Sequence, residues 1–220
     1  MSEPTDSSIY EDNKKWMRIA NLTLSNYSNM NNRLVHKKKI AEAILVYYSV
    51  AIIILSVTAK YFPNCINGDA AEYFGIVCSV VLLAYSLVNN TAKYDQRIAE
   101  CQKVVNGVKT LKREINVSDI GKFKEKYYAL IDNAEVRDDI DFFRTLKQQC
   151  KEENICFLNP GQKNSNDSVE LAELKNHLSE INTFVILLRI AVMYLTDAIL
   201  LLLPVAIFVL CFLLRGQTSP

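Results

Sequence analysis

Histidine occurs only twice in this chain of 220 residues, and its six cysteines are scattered with no CxxC pair. Zinc cages need those residue types at close spacing, so neither a metal nor any other cofactor is expected. Charge of one sign is also missing: 25 Lys and Arg against 24 Asp and Glu leave a net charge of +1. With no strongly basic domain, direct nucleic-acid binding is not expected. The chain lacks GxxxxGK[ST], GxGxxG, GxSxG and HExxH, each of which carries a specific chemistry. His36 stands in a basic patch, His177 on a polar helix face, and Asp138, Asp139 and Asp141 at a helix start, where acids favour the dipole. The chain is therefore read as a non-enzyme. Cys65, Cys78, Cys101, Cys150, Cys156 and Cys211 are read as free thiols.

Apolar residues make up 50% of the chain and are gathered into three blocks. The first, AILVYYSVAIIILSVTA, begins at Ala43 and extends to residue 62 if Lys60 turns its head to an interface. The second, YFGIVCSVVLLAYSLVNNTA, covers 73–92. Each makes about 25–30 Å of helix, the thickness of a hydrocarbon core. Pro63, Asn64, Asn67 and Gly68 between them form turns, so the two spans make a hairpin. The first 40 residues are polar, and no cleavable signal segment is read there. Arg33, Lys37, Lys38 and Lys39 precede the hairpin and Lys93 and Arg97 follow it, whereas its loop carries Asp69 and Glu72. The positive-inside rule then places the N-terminus and the residues after 92 in the cytoplasm.

Within the region 93–183, Ile98, Cys101, Val105, Val108, Leu111 and Ile115 alternate by three and four residues, one narrow stripe suited to pairing with another helix, in the same chain or a neighbour. The helix is expected to run on from the second span as one rod, and its stripe to be completed by self-association. Gly107 weakens it by about 1 kcal/mol relative to Ala. Shorter helices follow, with a loop at 158–168. The N-terminal arm, 1–39, carries Trp16, Ile19, Leu22, Met30 and Leu34 on one side, but its SNYSNMNN stretch is poor helix sequence.

The third block, 184–214, is a third span, leaving 215–220 outside. It contains Asp197, and a carboxylate in hydrocarbon costs about 3 kcal/mol. Two framings are open. If Arg189 and Arg215 mark the two interfaces, Asp197 is buried and faces a seam or water. If the slab begins after Asp197, that residue sits at the inner interface. Pro204 is either a hinge or simple packing. Asp197, Arg189 and Pro204 are the candidate pore or assembly residues. The fold expected is an all-α membrane protein: a two-helix transmembrane hairpin, cytoplasmic amphipathic helices and a third C-terminal transmembrane helix.

The basic cluster RLVHKKKIAEAI, the tight hairpin and the helix opening AKYDQRIAECQKVVNGVKTLKREI together resemble the SLATT family over roughly residues 15–150. Its members are two-transmembrane effectors associated with SMODS nucleotidyltransferases and SLOG sensors. The resemblance implies a role in bacterial antiviral conflict, with copies of the chain assembling in the inner membrane and permeabilising it. The trigger implied is a nucleotide signal or a partner such as a nucleotidyltransferase or, in some subfamilies, a reverse transcriptase. The third span departs from the two-span family core. The competing expectation is a non-conducting anchor or sensor that recruits a soluble partner.

Overall fold

The computed structural model describes residues 6–64, 66–114, 120–157, 169–180 and 183–214. Among them there are seven helices and no strand: α1 (Asp6–Tyr61), α2 (Gly68–Thr91), α3 (Tyr94–Glu114), α4 (Ile120–Ile131), α5 (Asp139–Glu152), α6 (Val169–Glu180) and α7 (Thr183–Leu214). They divide between two compact units. One, polar, takes in the chain up to Val35 and Asp95–Leu188; the other, apolar, takes in His36–Tyr94 and the chain from Arg189.

In the polar unit the first half of α1 buries Trp16, Ala20, Tyr27, Met30 and Leu34, steps of four, seven, three and four residues that keep one narrow face inward. Ile19 and Leu22, expected on that face, are only half-buried, and Ala20 and Tyr27 take their place. The SNYSNMNN stretch is helical despite its propensity. Packing overrides it: Asn26, Tyr27 and Met30 are buried, and Asn29 Nδ2 donates to Thr145 Oγ1 at 2.9 Å. On α3 the buried face is Cys101, Val104, Val108 and Leu111. Val104 therefore replaces Val105, which is half-buried as is Ile98, while Ile115 lies outside the described residues.

Within the chain this stripe meets α1 and α4. The Cys101 thiol donates to the Tyr27 carbonyl at 3.0 Å. A Cβ at Gly107 would lie 2.7 Å from Leu130 Cδ2, so the glycine admits the α4 side chain. Trp16 packs edge-on against Phe123 and Tyr127, at centroid distances of 6.0 and 5.6 Å.

The ends of α5 follow from its sequence. Asp138 caps its start by accepting from Ile140 N–H at 3.4 Å. Asn154, with φ 54°, closes it in the left-handed conformation, letting Ile155 N–H reach back to the Cys150 carbonyl at 2.8 Å. That six-to-one bond satisfies one of the helix's last carbonyls.

In the apolar unit α2 opens on Asn67, whose side chain accepts from Ala70 N–H at 3.1 Å. The rod expected to continue into α3 is broken instead: α2 ends at Thr91, and Lys93 has φ 46°. Leu55, Ile66, Ala71 and Cys211 form the buried cluster where α1, α2 and α7 meet, with Phe74, Ile207 and Phe208 packed on it. The second half of α1 buries Ala41, Ile44, Tyr48 and Leu55, the same three-and-four rhythm as the first. The hydroxyls of Ser49, Ser56 and Ser79 face outward but bond to carbonyls of their own helices at 2.8–2.9 Å. In an apolar solvent this removes most of the cost of exposing them. The loop at 158–168 and the tail at 215–220 lie outside the described residues.

Candidate functional site

The covered face of α7 in the apolar unit is Ile190, Met193, Asp197, Leu200, Pro204, Ile207, Phe208 and Cys211. All are half-buried except Cys211, which is fully buried. Their spacing draws the same narrow stripe as on α1. Asp197 therefore lies on the side of α7 that faces protein, one turn before Leu200 and two before Pro204, and Arg189 is exposed. The half-burial of Asp197 on that stripe places the carboxylate at a helix seam.

Pro204 stands inside α7 and removes the N–H that would bond the Leu200 carbonyl. The Tyr48 hydroxyl of α1 donates to that carbonyl at 2.8 Å. Tyr48 is 3% exposed. The signal that points to it is the proline itself, since a carbonyl freed in hydrocarbon needs a donor from a neighbouring helix. A largely apolar groove of about 290 Å³ lies beside this contact, lined by Tyr47, Tyr48, Leu55, Cys78, Pro204 and Phe208.

The basic residues expected to set topology divide by environment. Lys39 and Lys93 are exposed, Lys37 and Lys38 half-buried, with Lys38 Nζ 3.6 Å from Glu42. Arg33 is buried inside the polar unit. Its Nε and Nη2 donate to Asp141 Oδ1 and Oδ2 at 2.8 and 2.7 Å, and Asp138 stands 3.8 Å away. Its hydrogen bond to Asp141 holds the Arg33 guanidinium above its usual pKa against the opposing effect of burial. Arg97 pairs with Glu135, Nε to Oε2 at 2.9 Å. Each of these arginines is held in an ion pair inside the polar unit. Burial, with the Asp141 and Glu135 carboxylates nearby, pushes the Cys101 thiol up to about 11, which leaves it unreactive at neutral pH.

The polar unit also carries an open cleft of about 660 Å³ between α1, α5 and α6. Lys15, Arg18, Gln148, Gln149, Glu152 and His177 line it above Ile19, Leu22 and Leu174. Its charges are of both signs. Among the described residues no three His, Cys, Asp or Glu side chains gather as metal ligands would.

Three stretches among the described residues are long and apolar enough to cross a membrane, within Tyr10–Tyr61, Gly68–Glu114 and Phe184–Leu213. With an all-helical fold and a carboxylate at a helix seam, they define an α-helical membrane protein. The chain belongs to the SMODS and SLOG-associating 2TM effector domain family 5, a SLATT family, whose model matches residues 13–210. This is a membrane effector family associated with conflict systems and not a known enzyme family. The match extends well beyond the stretch that carried the sequence resemblance and takes in most of α7, so the third apolar helix lies within the family region. No curated protein and no solved structure matches the chain.

Proposed function

We propose that this chain is a membrane-embedded effector of a bacterial conflict or antiviral system, which oligomerises and permeabilises the inner membrane when triggered. The observation that carries the reading is how little of the apolar unit covers itself. In the three candidate spans, 22%, 11% and 6% of the most apolar window is buried. Narrow seams hold the three helices together and leave their remaining faces for lipid or for further copies of the chain. Asp197 on the α7 seam adds a charged group that a rearranged bundle can turn toward water. In this reading the polar unit and the N-terminus are cytoplasmic, and the C-terminus is extracytoplasmic. The trigger is a nucleotide signal, or a nucleotidyltransferase or reverse transcriptase of the same system.

A second reading, a non-conducting anchor or sensor, is favoured by the cleft of the polar unit, whose mixed charges and amides suit a polar partner. One experiment separates the two. The chain is induced in a bacterial host, alone and with its genomic partner, and membrane potential is followed with a dye. Depolarisation supports the effector reading. An unchanged potential in both cases, with the protein verified in the membrane, overturns it in favour of the anchor.

A further inference from the structure

A carbonyl that loses its helical donor in water is solvated at once; in hydrocarbon it stays unpaired unless another helix supplies a donor. Pro204 creates one such carbonyl, at Leu200, and Tyr48 supplies the donor at 2.8 Å. The two arms of α7 on either side of this point are held unequally. After Pro204, Ile207, Phe208 and Cys211 belong to the cluster built on Leu55, Ile66 and Ala71. There the Asn67 N–H also reaches the Cys211 carbonyl at 3.4 Å. From Arg189 to Leu203 no residue is buried. One arm is docked and the other is lightly held, with the proline between them. The apolar groove beside Pro204, about 290 Å³, leaves room for the helix to bend there.

We propose that Tyr48 is a latch on a proline hinge in α7. Its hydroxyl, bonded to the Leu200 carbonyl, holds the Arg189–Leu203 arm against α1, and release of that bond lets the arm swing about Pro204. The arm carries Asp197, so the swing moves the carboxylate out of its seam. That this motion opens a conducting path rests on the permeabilising function proposed above; the latch itself does not.

The test uses the full chain in liposomes, with spin labels on non-natural residues at the exposed positions Ser49 and Thr196, so that the native cysteines stay in place. Wild type, Tyr48→Phe, Pro204→Ala and the double variant are compared by pulsed distance measurement and by dye leakage. Tyr48→Phe keeps the ring and removes only the donor, and Pro204→Ala restores the N–H that the Leu200 carbonyl lacks. Interhelical hydrogen bonds of this kind shift a two-state balance by about three- to tenfold. Tyr48→Phe is expected to broaden the 49–196 distance distribution, with a new population growing by about that factor, and to have no such effect in the Pro204→Ala background. An unchanged distribution in Tyr48→Phe overturns the latch. So does an equal change in both backgrounds, because Tyr48 then acts through packing and not through the carbonyl. Leakage rising with the new population supports the latch as the control of opening. A distance change without leakage leaves the latch standing and counts against the permeabilising reading alone.

Discussion

Arg33 of α1 and Asp141 of α5 meet as a two-point ion pair inside the polar unit, with 7% and 0% of their side chains exposed. They stand 108 positions apart, so one contact ties α1 to α5. A buried pair of this geometry balances desolvation against attraction, and its net worth is small, but the loss of one partner strands a charge. Arg33→Ala or Asp141→Ala is therefore expected to cost about 3–5 kcal/mol. The double change Arg33→Met with Asp141→Leu should recover most of that loss. Denaturant unfolding of the detergent-solubilised chain measures all three. A single variant as stable as wild type would mean that the charge finds water.

Trp16 is the only tryptophan in the chain and is buried among Phe123, Tyr127 and Tyr128, with Lys124 Nζ 5.4 Å from its ring centroid. Its fluorescence therefore reports the polar unit alone. Phe123→Ala, which opens a cavity against the indole ring, should destabilise by about 3–5 kcal/mol. It should also shift the folded-state emission to the red. Loss of stability without any change in emission would place Trp16 outside the site of damage.

Cys101 and Cys156 should differ sharply in reactivity. Cys156 is exposed, whereas Cys101 is 3% exposed with its thiol pushed up to about 11. At pH 8 about one Cys101 in a thousand is thiolate, so alkylation should label Cys156 readily and reach Cys101 only on unfolding. Because the folded pKa is raised, the folded state holds the proton more tightly than the unfolded one. This stability is fully present below about pH 9 and lost as pH rises through about 11. The loss amounts to about 2–3 kcal/mol. Cys101→Ala should flatten that alkaline slope while lowering stability at neutral pH; an unchanged slope would assign it to other groups.

The three apolar helices and the hairpin turn were legible because hydropathy and turn chemistry are local properties. What escaped was relational. That Arg33 pairs with Asp141, more than a hundred positions away, is invisible to a local reading. Val104 and Val105 are equally apolar, and only packing in the folded unit selects which one is buried. The break at Ala92–Lys93 carries neither glycine nor proline, and Lys93 adopts its positive φ at a cost of about 1–2 kcal/mol. Tyr48 could have been found from Pro204 by asking which side chain replaces the missing donor. The common rhythm of α1 was also readable. Trp16, Ala20, Tyr27, Met30 and Leu34 continue as Ala41, Ile44, Tyr48 and Leu55, but the change from polar to apolar surroundings at His36 hides that repeat from a hydropathy scan.

The position of Asp197 on the covered face of α7 yields a prediction in which stability and function move in opposite directions. A carboxylate at the middle of a membrane helix costs about 2.5–3.5 kcal/mol, falling toward zero at the interface. If the seam lies at depth, Asp197→Leu should stabilise the folded chain in bilayers by up to about 3 kcal/mol while abolishing depolarisation in the bacterial assay. Asp197→Asn keeps the shape and one acceptor, so it should fall between the two in both measurements. An interfacial carboxylate gives another pattern: stability within about 0.5 kcal/mol of wild type and depolarisation intact in both variants. Leu200 and Pro204 provide the internal control, since they share the Asp197 face one and two turns further along α7. Leu200→Ala, which only trims an apolar side chain on that face, should lower stability without gaining or losing a charge. A stabilised but inactive Asp197→Leu beside a destabilised but active Leu200→Ala would show that the carboxylate is retained in the seam for what it does there, at a cost to the folded state.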